Sequence, residues 1–433
     1  MSAEEEKTSD VERVEKQGSN AKRTPRRTRL NDVWLCFAKQ APATAISPHD
    51  GQVIKAFVGS ESGIPSLGPS SIPQKHLGEL ATLITYQARG FDNILKAVGT
   101  EHLCISASRP VATSRLTPMC TFSGYNPDTE IPDLAGKVFL ITGGTNGIGK
   151  TAVQELAKHN PAHIYFTGRN QQAADALLAS LPAGAAATFM PCDMASLASI
   201  RQAAASFTSP RLDVFIANAG VMATPPGLTQ DGYEYQFGVN HVGNTALLLR
   251  LLPVMRATAA QASSSGNSSS SSADVRFVAL TSLGYRAHPP AGVDLASVRT
   301  TQEGFSMGTW ARYGQSKLAN ILTARELARR CPEITCVCVH PGVVKTGLVT
   351  ELGYWEKMLV YVTNPGGLMT PRQGCYNTVW AATARGVREA AAEGKVAFFE
   401  PVRLPNEGDA KCWDDELAKE LWEWTEREVG VRA

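Results

Sequence analysis

Tyr313 and Lys317 are the residues of this chain whose types and spacing most directly suggest chemistry. They lie four residues apart in WARYGQSKLANILTARELARR, where the apolar periodicity predicts an amphipathic helix. Residues at this spacing share one helix face. A free phenol has a pKa of about 10, and a neighbouring ammonium favours the phenolate and lowers that value. The pair is therefore either a catalytic acid with its activating cation or, on spacing alone, only the beginning of a helix.

A second candidate site is a glycine-rich turn about a third of the way along the chain. The apolar run KVFLIT leads into TGGTNGIGKTAVQELAKH, which contains Gly143, Gly147 and Gly149. Glycines let the backbone turn sharply and approach a pyrophosphate, while a helix amino terminus offers unpaired N–H groups and a positive dipole end. Because the turn lies between a first strand and a first helix, it predicts dinucleotide binding rather than a plain tight turn.

Arg169 and Asp193 follow the second and third apolar runs, in FTGRN and MPCDM. Enzymes that prefer NAD usually place an acid after the second strand to bind the ribose 2′-OH, whereas an Arg there accommodates a 2′-phosphate. Arg169 therefore favours NADP over NAD, unless it only points into solvent. Asp193 is placed to hydrogen-bond an adenine amine, although a helix N-cap also explains it.

These residues need a regular scaffold, and the sequence predicts one from about Lys137 onward. Strand-like runs alternate with helix-length segments; the runs are KVFLIT, HIYFTG, ATFMPCD, DVFIANAG, VRFVALTS, ITCVCVHPG and KVAFFE. Such alternation implies βαβ units, and continuously apolar strands imply helices on both faces. The predicted fold is α/β: a Rossmann-type, doubly wound parallel sheet of about seven strands in three α/β/α layers. A Ser-rich tract, 261–273, is expected to be an inserted surface loop.

Composition narrows the class of protein. A formal charge of +2 points to no nucleic-acid partner, and nine scattered cysteines lack metal-ligand spacing and favour a reducing compartment. No apolar run is long enough for a transmembrane segment, and the acidic start MSAEEEKTSD resembles neither a secretory signal nor a transit peptide. We therefore expect no metal and a cytoplasmic location. Residues 1–118 are expected to be a largely irregular extension, disordered or loosely docked.

With these motifs in order, residues 119–433 resemble the short-chain dehydrogenase/reductase family, and in motif texture its retinol-dehydrogenase-like and WW-domain-oxidoreductase-like branch. The resemblance rests on the glycine turn, NAG, FGVNHVGNTALLL, VALTS, the Tyr-x-x-x-Lys pair and HPGVVKT. It implies a catalytic set of Asn240, Ser282, Tyr313 and Lys317. Tyr313 would exchange the proton, Ser282 would hydrogen-bond the developing oxyanion, and Asn240 would hold a helix distortion and a water that relays protons to Lys317.

The resemblance, together with Arg169 and Asp193, also implies a cofactor site. Its residues are Gly143, Asn146, Gly147, Ile148, Gly149, Arg169, Asp193, Asn218, Ala219, Gly220, Tyr313, Lys317, Pro341, Gly342, Val344 and Thr346. Some features depart from the family pattern: Ala217 replaces an Asn, Thr281 replaces a Ser, and the spacer from Ser282 to Tyr313 is longer than in compact members. The long spacer makes the position of Ser282 less certain than that of Tyr313.

The expected function is NADP-dependent hydride transfer between the nicotinamide and a carbonyl or secondary alcohol of a fairly apolar small molecule. The lid over the active site would be the segment KTGLVTELGYWEKMLVYVTNPGG. Its apolar residues suit an apolar substrate, a membrane surface or ordinary core packing; they are Tyr354, Trp355, Met358 and Leu359. Two alternatives are kept: a non-catalytic NADP(H)-binding regulatory protein, and a reductase of a C=C bond, which would need Ser282 less. Many relatives pair subunits through their helices, so homo-oligomerisation is left open.

Overall fold

The computed structural model describes residues 124–264, 274–305, 308–350, 352–364, 367–391 and 395–432. The expectation of an irregular extension over residues 1–118 lies outside the described residues. Most of the Ser-rich insertion 261–273 lies outside them as well, although a helix reaches its first residues.

Eight strands form one sheet in the described part of the chain. They are β1 (Val138–Ile141), β2 (His163–Gly168), β3 (Ala187–Pro191), β4 (Val214–Ala217), β5 (Val275–Leu280), β6 (Ile334–Val339), β7 (Val396–Glu400) and β8 (Leu404–Pro405). Their order is β3-β2-β1-β4-β5-β6-β7-β8, parallel from β3 to β7. All seven predicted runs are strands. The eighth strand is a short antiparallel edge that pairs with β7, and two residues are too few for a sequence pattern to reveal.

Helices connect the strands and cover both faces of the sheet. They are α1 (Pro127–Glu130), α2 (Gly147–Ala157), α3 (Gln171–Ala179), α4 (Leu197–Ser206), α5 (Tyr235–Phe237), α6 (Asn244–Ser264), α7 (Gly308–Arg330), α8 (Gly347–Thr350), α9 (Tyr354–Thr363), α10 (Pro371–Thr383), α11 (Gly386–Ala390) and α12 (Asp415–Val429). A π-helical turn, Gly238–Gly243, joins α5 to α6, and 3₁₀ turns cover Leu283–Ala287 and Ala410–Trp413. The expected three-layer α/β/α architecture is confirmed.

Two apolar cores fill the space between the sheet and its two helix layers. Alternate strand residues point to opposite faces, so Leu140 of β1 belongs to the core under α4, α6, α7 and α12, while Ile141 belongs to the core under α2, α3 and α10. Both faces of β1 are therefore buried, which explains its continuous apolar run.

The strand order reverses between β1 and β4. The chain builds β1, β2 and β3 outward in one direction and then returns to place β4 on the other side of β1. In open parallel sheets a ligand crevice forms at this point, outside the carboxyl ends of the strands. The segments that carry the predicted site residues all leave the sheet at that edge.

Candidate active site

The glycine turn after β1 has no room for a side chain at Gly149. A Cβ there would stand 2.3 Å from the carbonyl oxygen of Gly143, and Gly143 and Gly147 themselves have positive φ, +67° and +53°. The side chain of Asn146 caps α2 by accepting the N–H of Gly147 at 2.7 Å. The backbone therefore packs closely at the amino terminus of α2, where N–H groups lack partners within the helix. This arrangement fits a pyrophosphate.

Asn218 fixes that turn from the end of β4. Its Nδ2 donates to the carbonyl oxygens of Thr142 at 2.7 Å and of Gly143 at 3.3 Å. The Thr142 hydroxyl accepts the N–H groups of Asn218 and Ala219, both at 2.9 Å, and lies 2.7 Å from Oδ1 of Asn244, to which it donates. The Asn218 side chain therefore holds the turn in place. Thr142 and Asn244, which sequence reasoning missed, lie at the centre of the network.

Arg169 and Asp193 lie at the same edge of the sheet, after β2 and β3. Arg169 is exposed directly after the last residue of β2. Oδ1 of Asp193 accepts the N–H of Ala195 at 3.0 Å, whereas α4 is capped by Ser196. The N-cap explanation of Asp193 is therefore wrong. Its adenine contact and the 2′-phosphate contact of Arg169 stay predictions.

The loop after β6 reaches from the sheet toward the glycine turn. Pro341 and Gly342 begin it, and Gly342 has a φ of +84°. Thr346 contacts the turn, since its Cγ2 would be 3.1 Å from a Cβ on Gly147. The side chain of Val344 is buried in the opposite direction, under α10. Thr346 thus lies against the glycine turn, whereas Val344 packs against α10. The cofactor contacts expected of both residues stay predictions.

Asn240 lies in the π-helical turn Gly238–Gly243. Its Oδ1 accepts the N–H of Val221 at 2.7 Å, and its Nδ2 donates to the Val221 carbonyl at 2.9 Å and to Oγ of Ser316 at 2.8 Å. The Ser316 hydroxyl donates in turn to the Tyr313 carbonyl at 2.7 Å. The helix distortion expected at Asn240 is confirmed. The relaying water stays a prediction.

Ser282 and Tyr313 meet at the carboxyl end of β5 despite the long spacer between them. The side chains of Ser282 and Tyr313 both lie close to Gly284, and the Ser282 hydroxyl accepts the N–H of Gly284 at 3.1 Å. A Cβ on Gly284 would be 2.9 Å from the Tyr313 ring and 3.3 Å from the Ser282 oxygen. The start of the spacer therefore packs as a tight 3₁₀ turn on the tyrosine. The long spacer thus does not keep the two side chains apart.

Burial controls the charges of Tyr313 and Lys317. Burial raises the pKa of Tyr313 to about 12, against a smaller opposing effect of the neighbouring Ser282 hydroxyl. Burial lowers the pKa of Lys317 to about 8. The Lys317 ammonium donates to the Leu280 carbonyl at 3.1 Å and lies 5.9 Å from the centre of the Tyr313 ring. Burial is the main cause of both shifts, and the phenol keeps its proton at neutral pH. The effect of Lys317 on the phenol stays a prediction.

Gly220, just after β4, lies close to the side chains of both Lys317 and Asn240. A Cβ at this position would be 3.0 Å from Oδ1 of Asn240 and 3.4 Å from Nζ of Lys317. The backbone after β4 therefore passes between the two functional side chains, where any larger residue would displace them. All four predicted catalytic residues and the glycine turn consequently lie along one edge of the sheet.

The segment expected to form a lid contains α8 and α9. Val349, Leu352 and Val360 form a small buried cluster with Met222 and Trp310 near the tyrosine. Tyr354 and Tyr361 are instead 65% and 50% exposed, so core packing is excluded for Tyr354. The side chains of Trp355 and Leu359 lie outside the described set.

The described residues lack two features. Within residues 124–432, apart from the gaps given above, no helix combines the length and apolar character needed to cross a membrane. The same residues contain no cluster of three or more His, Cys, Asp or Glu suited to a metal ion.

Known proteins resemble this chain over most of its length. The family model described as short chain dehydrogenase matches residues 137–279. A short-chain dehydrogenase/reductase from Aspergillus calidoustus, drtF, is 34% identical over 70% of this chain and 96% of its own length. Retinol dehydrogenase 14 from Mus musculus is 32% identical over 68% and 86%, and polyprenol dehydrogenase from the same organism is 30% identical over 67% and 83%.

The described fold also matches solved structures. The structure of an uncharacterized protein from Mycobacterium paratuberculosis covers 72% of this chain and 99% of its own, with a TM-score of 0.54 and 24% sequence identity. At this level of identity the likeness concerns the fold alone.

Proposed function

Because this chain belongs to the short-chain dehydrogenase/reductase family, we propose that it is an NADP-dependent oxidoreductase acting on a carbonyl or secondary alcohol. The observation that carries the proposal is the meeting of Tyr313 with Ser282, Lys317 and Asn240 at the sheet edge that also holds the glycine turn. A regulator that only bound a nucleotide would need the turn but not this second cluster.

The residues of the cluster have separate roles in the proposed reaction. A bound nicotinamide would supply or accept the hydride. The Tyr313 phenol, protonated at neutral pH, gives its proton to a carbonyl oxygen in reduction and takes one back in oxidation. The Ser282 hydroxyl stabilises the charge that develops on the same oxygen. The buried Lys317 ammonium, 5.9 Å from the centre of the Tyr313 ring, would favour the tyrosinate left after proton transfer.

NADP is the proposed cofactor because Arg169, not an acid, follows β2, where a residue would approach the adenosine ribose of a bound dinucleotide. The proposed pyrophosphate site is the amino terminus of α2, where Gly149 admits no side chain. We expect Arg169→Asp to lower the affinity for NADPH much more than the affinity for NADH.

The proposed substrate is an apolar small molecule. The small cluster of Val349, Leu352, Val360, Met222 and Trp310 provides apolar surface beside the tyrosine, and the Trp310 and Tyr313 rings lie edge to face at 6.4 Å. The names of two relatives, retinol dehydrogenase 14 and polyprenol dehydrogenase, refer to apolar alcohols. Such alcohols and their aldehydes or ketones are the first compounds to assay.

The test is a panel of carbonyl compounds and alcohols with NADPH, NADH and their oxidised forms. We expect turnover with an apolar carbonyl, loss of turnover in Tyr313→Phe with NADPH binding intact, and normal turnover in Tyr165→Phe, a matched loss of a hydroxyl in the core of the sheet. Full activity of Tyr313→Phe would contradict the mechanism.

Other outcomes would support the alternatives. Tight NADPH binding without turnover of any compound would favour a regulatory role. Reduction of an enone at its C=C bond, unaffected by Ser282→Ala, would favour the C=C reductase.

A further inference from the structure

The loop Val221–Thr224, directly after β4, is tied down by side chains of its neighbours. Asn240 bonds both main-chain groups of Val221. Gln236 accepts the N–H of Ala223 at 2.9 Å, although Ala223 has a positive φ of 52°. A strained backbone held by several polar contacts indicates a segment whose position matters.

The other end of the loop is tied to the start of α7. The Thr224 carbonyl accepts a hydrogen bond from the Thr309 hydroxyl at 2.8 Å and one from Nη2 of Arg312 at 3.3 Å. Arg312 immediately precedes Tyr313. The loop is therefore bonded directly to the first turns of the helix that carries the tyrosine.

Arg312 forms a buried ion pair with Glu234. Nε of Arg312 lies 3.3 Å from Oε1 of Glu234, and the two side chains are 2% and 0% exposed. The other carboxylate oxygen of Glu234 accepts the N–H of Phe237 at 2.7 Å and thereby caps α5, which leads into the π-helical turn with Asn240. The pair thus joins the element that carries Asn240 to the residue next to Tyr313.

The Glu234–Arg312 ion pair is energetically unfavourable as a means of stabilising the fold, because both charges are buried. Burial raises the pKa of the Glu234 carboxyl and lowers that of the Arg312 guanidinium, so desolvation opposes both charges. Oε1 of Glu234 and Nε of Arg312, although close, have no hydrogen-bond partner among the described residues. Replacing such a pair by neutral groups of similar size is often neutral or stabilising. Buried polar groups that do not favour stability are expected at sites where function requires them.

We propose that Glu234 and Arg312 are positioning residues, whose contact fixes loop 221–224 against the start of α7 and thereby sets the position of the Tyr313 phenol. This inference rests on the proposed function, since position matters only if the phenol transfers a proton. A displacement of about 1 Å at a reacting group can lower turnover by about 100-fold.

The test compares the double variant Glu234→Gln/Arg312→Met with wild type. Glutamine keeps an oxygen that can cap α5, and methionine keeps the length of the arginine stem. We expect kcat to fall about 10- to 100-fold, while KM for NADPH and the urea midpoint of unfolding stay unchanged or the midpoint rises. Arg312→Lys, which keeps the charge but not the planar fork, should retain intermediate turnover.

A control removes an ion pair at the opposite edge of the sheet, between a buried arginine and an aspartate that is 21% exposed. Arg276, at the amino end of β5, pairs with Asp274 and is 3% exposed. The variant Asp274→Asn/Arg276→Met should alter stability and leave kcat per folded molecule at the wild-type value. Wild-type kcat in the Glu234/Arg312 double variant, or a loss of kcat that only follows loss of folded protein, would overturn the positioning role.

Amide hydrogen exchange separates this inference from the proposed function, because it needs no substrate. We expect the N–H groups of Val221 and Ala223 to exchange at least about tenfold faster in the double variant, with core amides unchanged. If wild type reduces no carbonyl but these amides respond, the proposed function fails while the mechanical link stands. Unchanged exchange at both amides would reject the link itself.

Discussion

Lys317 and Tyr313 differ in how burial affects their charge at neutral pH. Burial keeps the proton on the phenol, whose pKa rises to about 12, but weakens the hold of the lysine on its proton, whose pKa falls to about 8. Desolvation disfavours the charged form of a lysine and so lowers its pKa. Lys317 is therefore the group of the pair that titrates within an ordinary assay range.

The first prediction concerns the pH dependence of carbonyl reduction. If Lys317 must be charged, kcat/KM should be level below about pH 8 and fall roughly tenfold per pH unit above it. The measurement is kcat/KM for an apolar carbonyl between about pH 6 and pH 10. Lys317→Arg is the control, since a guanidinium stays charged throughout and its residual activity should lose the break. A level wild-type profile across the whole range would contradict the requirement.

At the scale of elements, the close packing of the glycine turn against the start of α2 leads to a direct test. A Cβ on Gly149 would meet the Gly143 carbonyl at 2.3 Å and Nδ2 of Asn218 at 2.5 Å, both shorter than real contacts allow. Either the turn or the Asn218 network must then move. In both cases the geometry offered to a pyrophosphate changes.

The second prediction follows from that contact. Gly149→Ala should weaken NADPH binding on the order of 100-fold, equivalent to about 2.7 kcal/mol, as measured by titration calorimetry. Gly304→Ala is the matched control, because a Cβ there meets nothing within 4 Å and its φ is not positive. Wild-type affinity in Gly149→Ala would mean that the turn does not bind the cofactor.

Sequence patterns predicted these elements well because their signals are local. Strand β1 is recognised from its continuous apolar run VFLI. The turn is recognised from the glycines that follow directly in the sequence. The network behind the turn could not be read in this way. Thr142 lies far along the chain from Asn244, its hydrogen-bond partner, and only the folded sheet brings them together. The pKa of Lys317 was missed for a similar reason, since it depends on burial.

At the scale of the whole molecule, α12 covers the outer side of α7. Arg325 of α7 pairs with Asp415 of α12 at 2.9 Å, and the guanidinium of Arg330 lies 5.5 Å from the centre of the Trp422 ring. Helix α7 is consequently enclosed between the sheet and α12. Homo-oligomerisation stays a prediction, and any pairing of subunits directly through α7 would first have to displace α12.

His241 links three of these elements inside the protein. It lies in the π-helical turn, fully buried, with Nε2 at 2.9 Å from the hydroxyl of Thr425 in α12 and Nδ1 at 3.2 Å from that of Thr323 in α7. Burial lowers its pKa from 6.5 to about 3. The unfolded chain therefore binds a proton at this residue between those two values, whereas the folded chain does not.

The third prediction is that folding weakens in mild acid because of His241. Since the unfolded state binds more protons, this residue removes about 1.4 kcal/mol of stability for each pH unit below about 6.5. Urea unfolding between about pH 4.5 and pH 6 should show His241→Gln losing stability less steeply than wild type by that amount. Thr425→Val, which removes a partner but not the titration, should be less stable at every pH with the wild-type slope. Parallel slopes for His241→Gln and wild type would mean that the imidazole is already protonated in the folded protein.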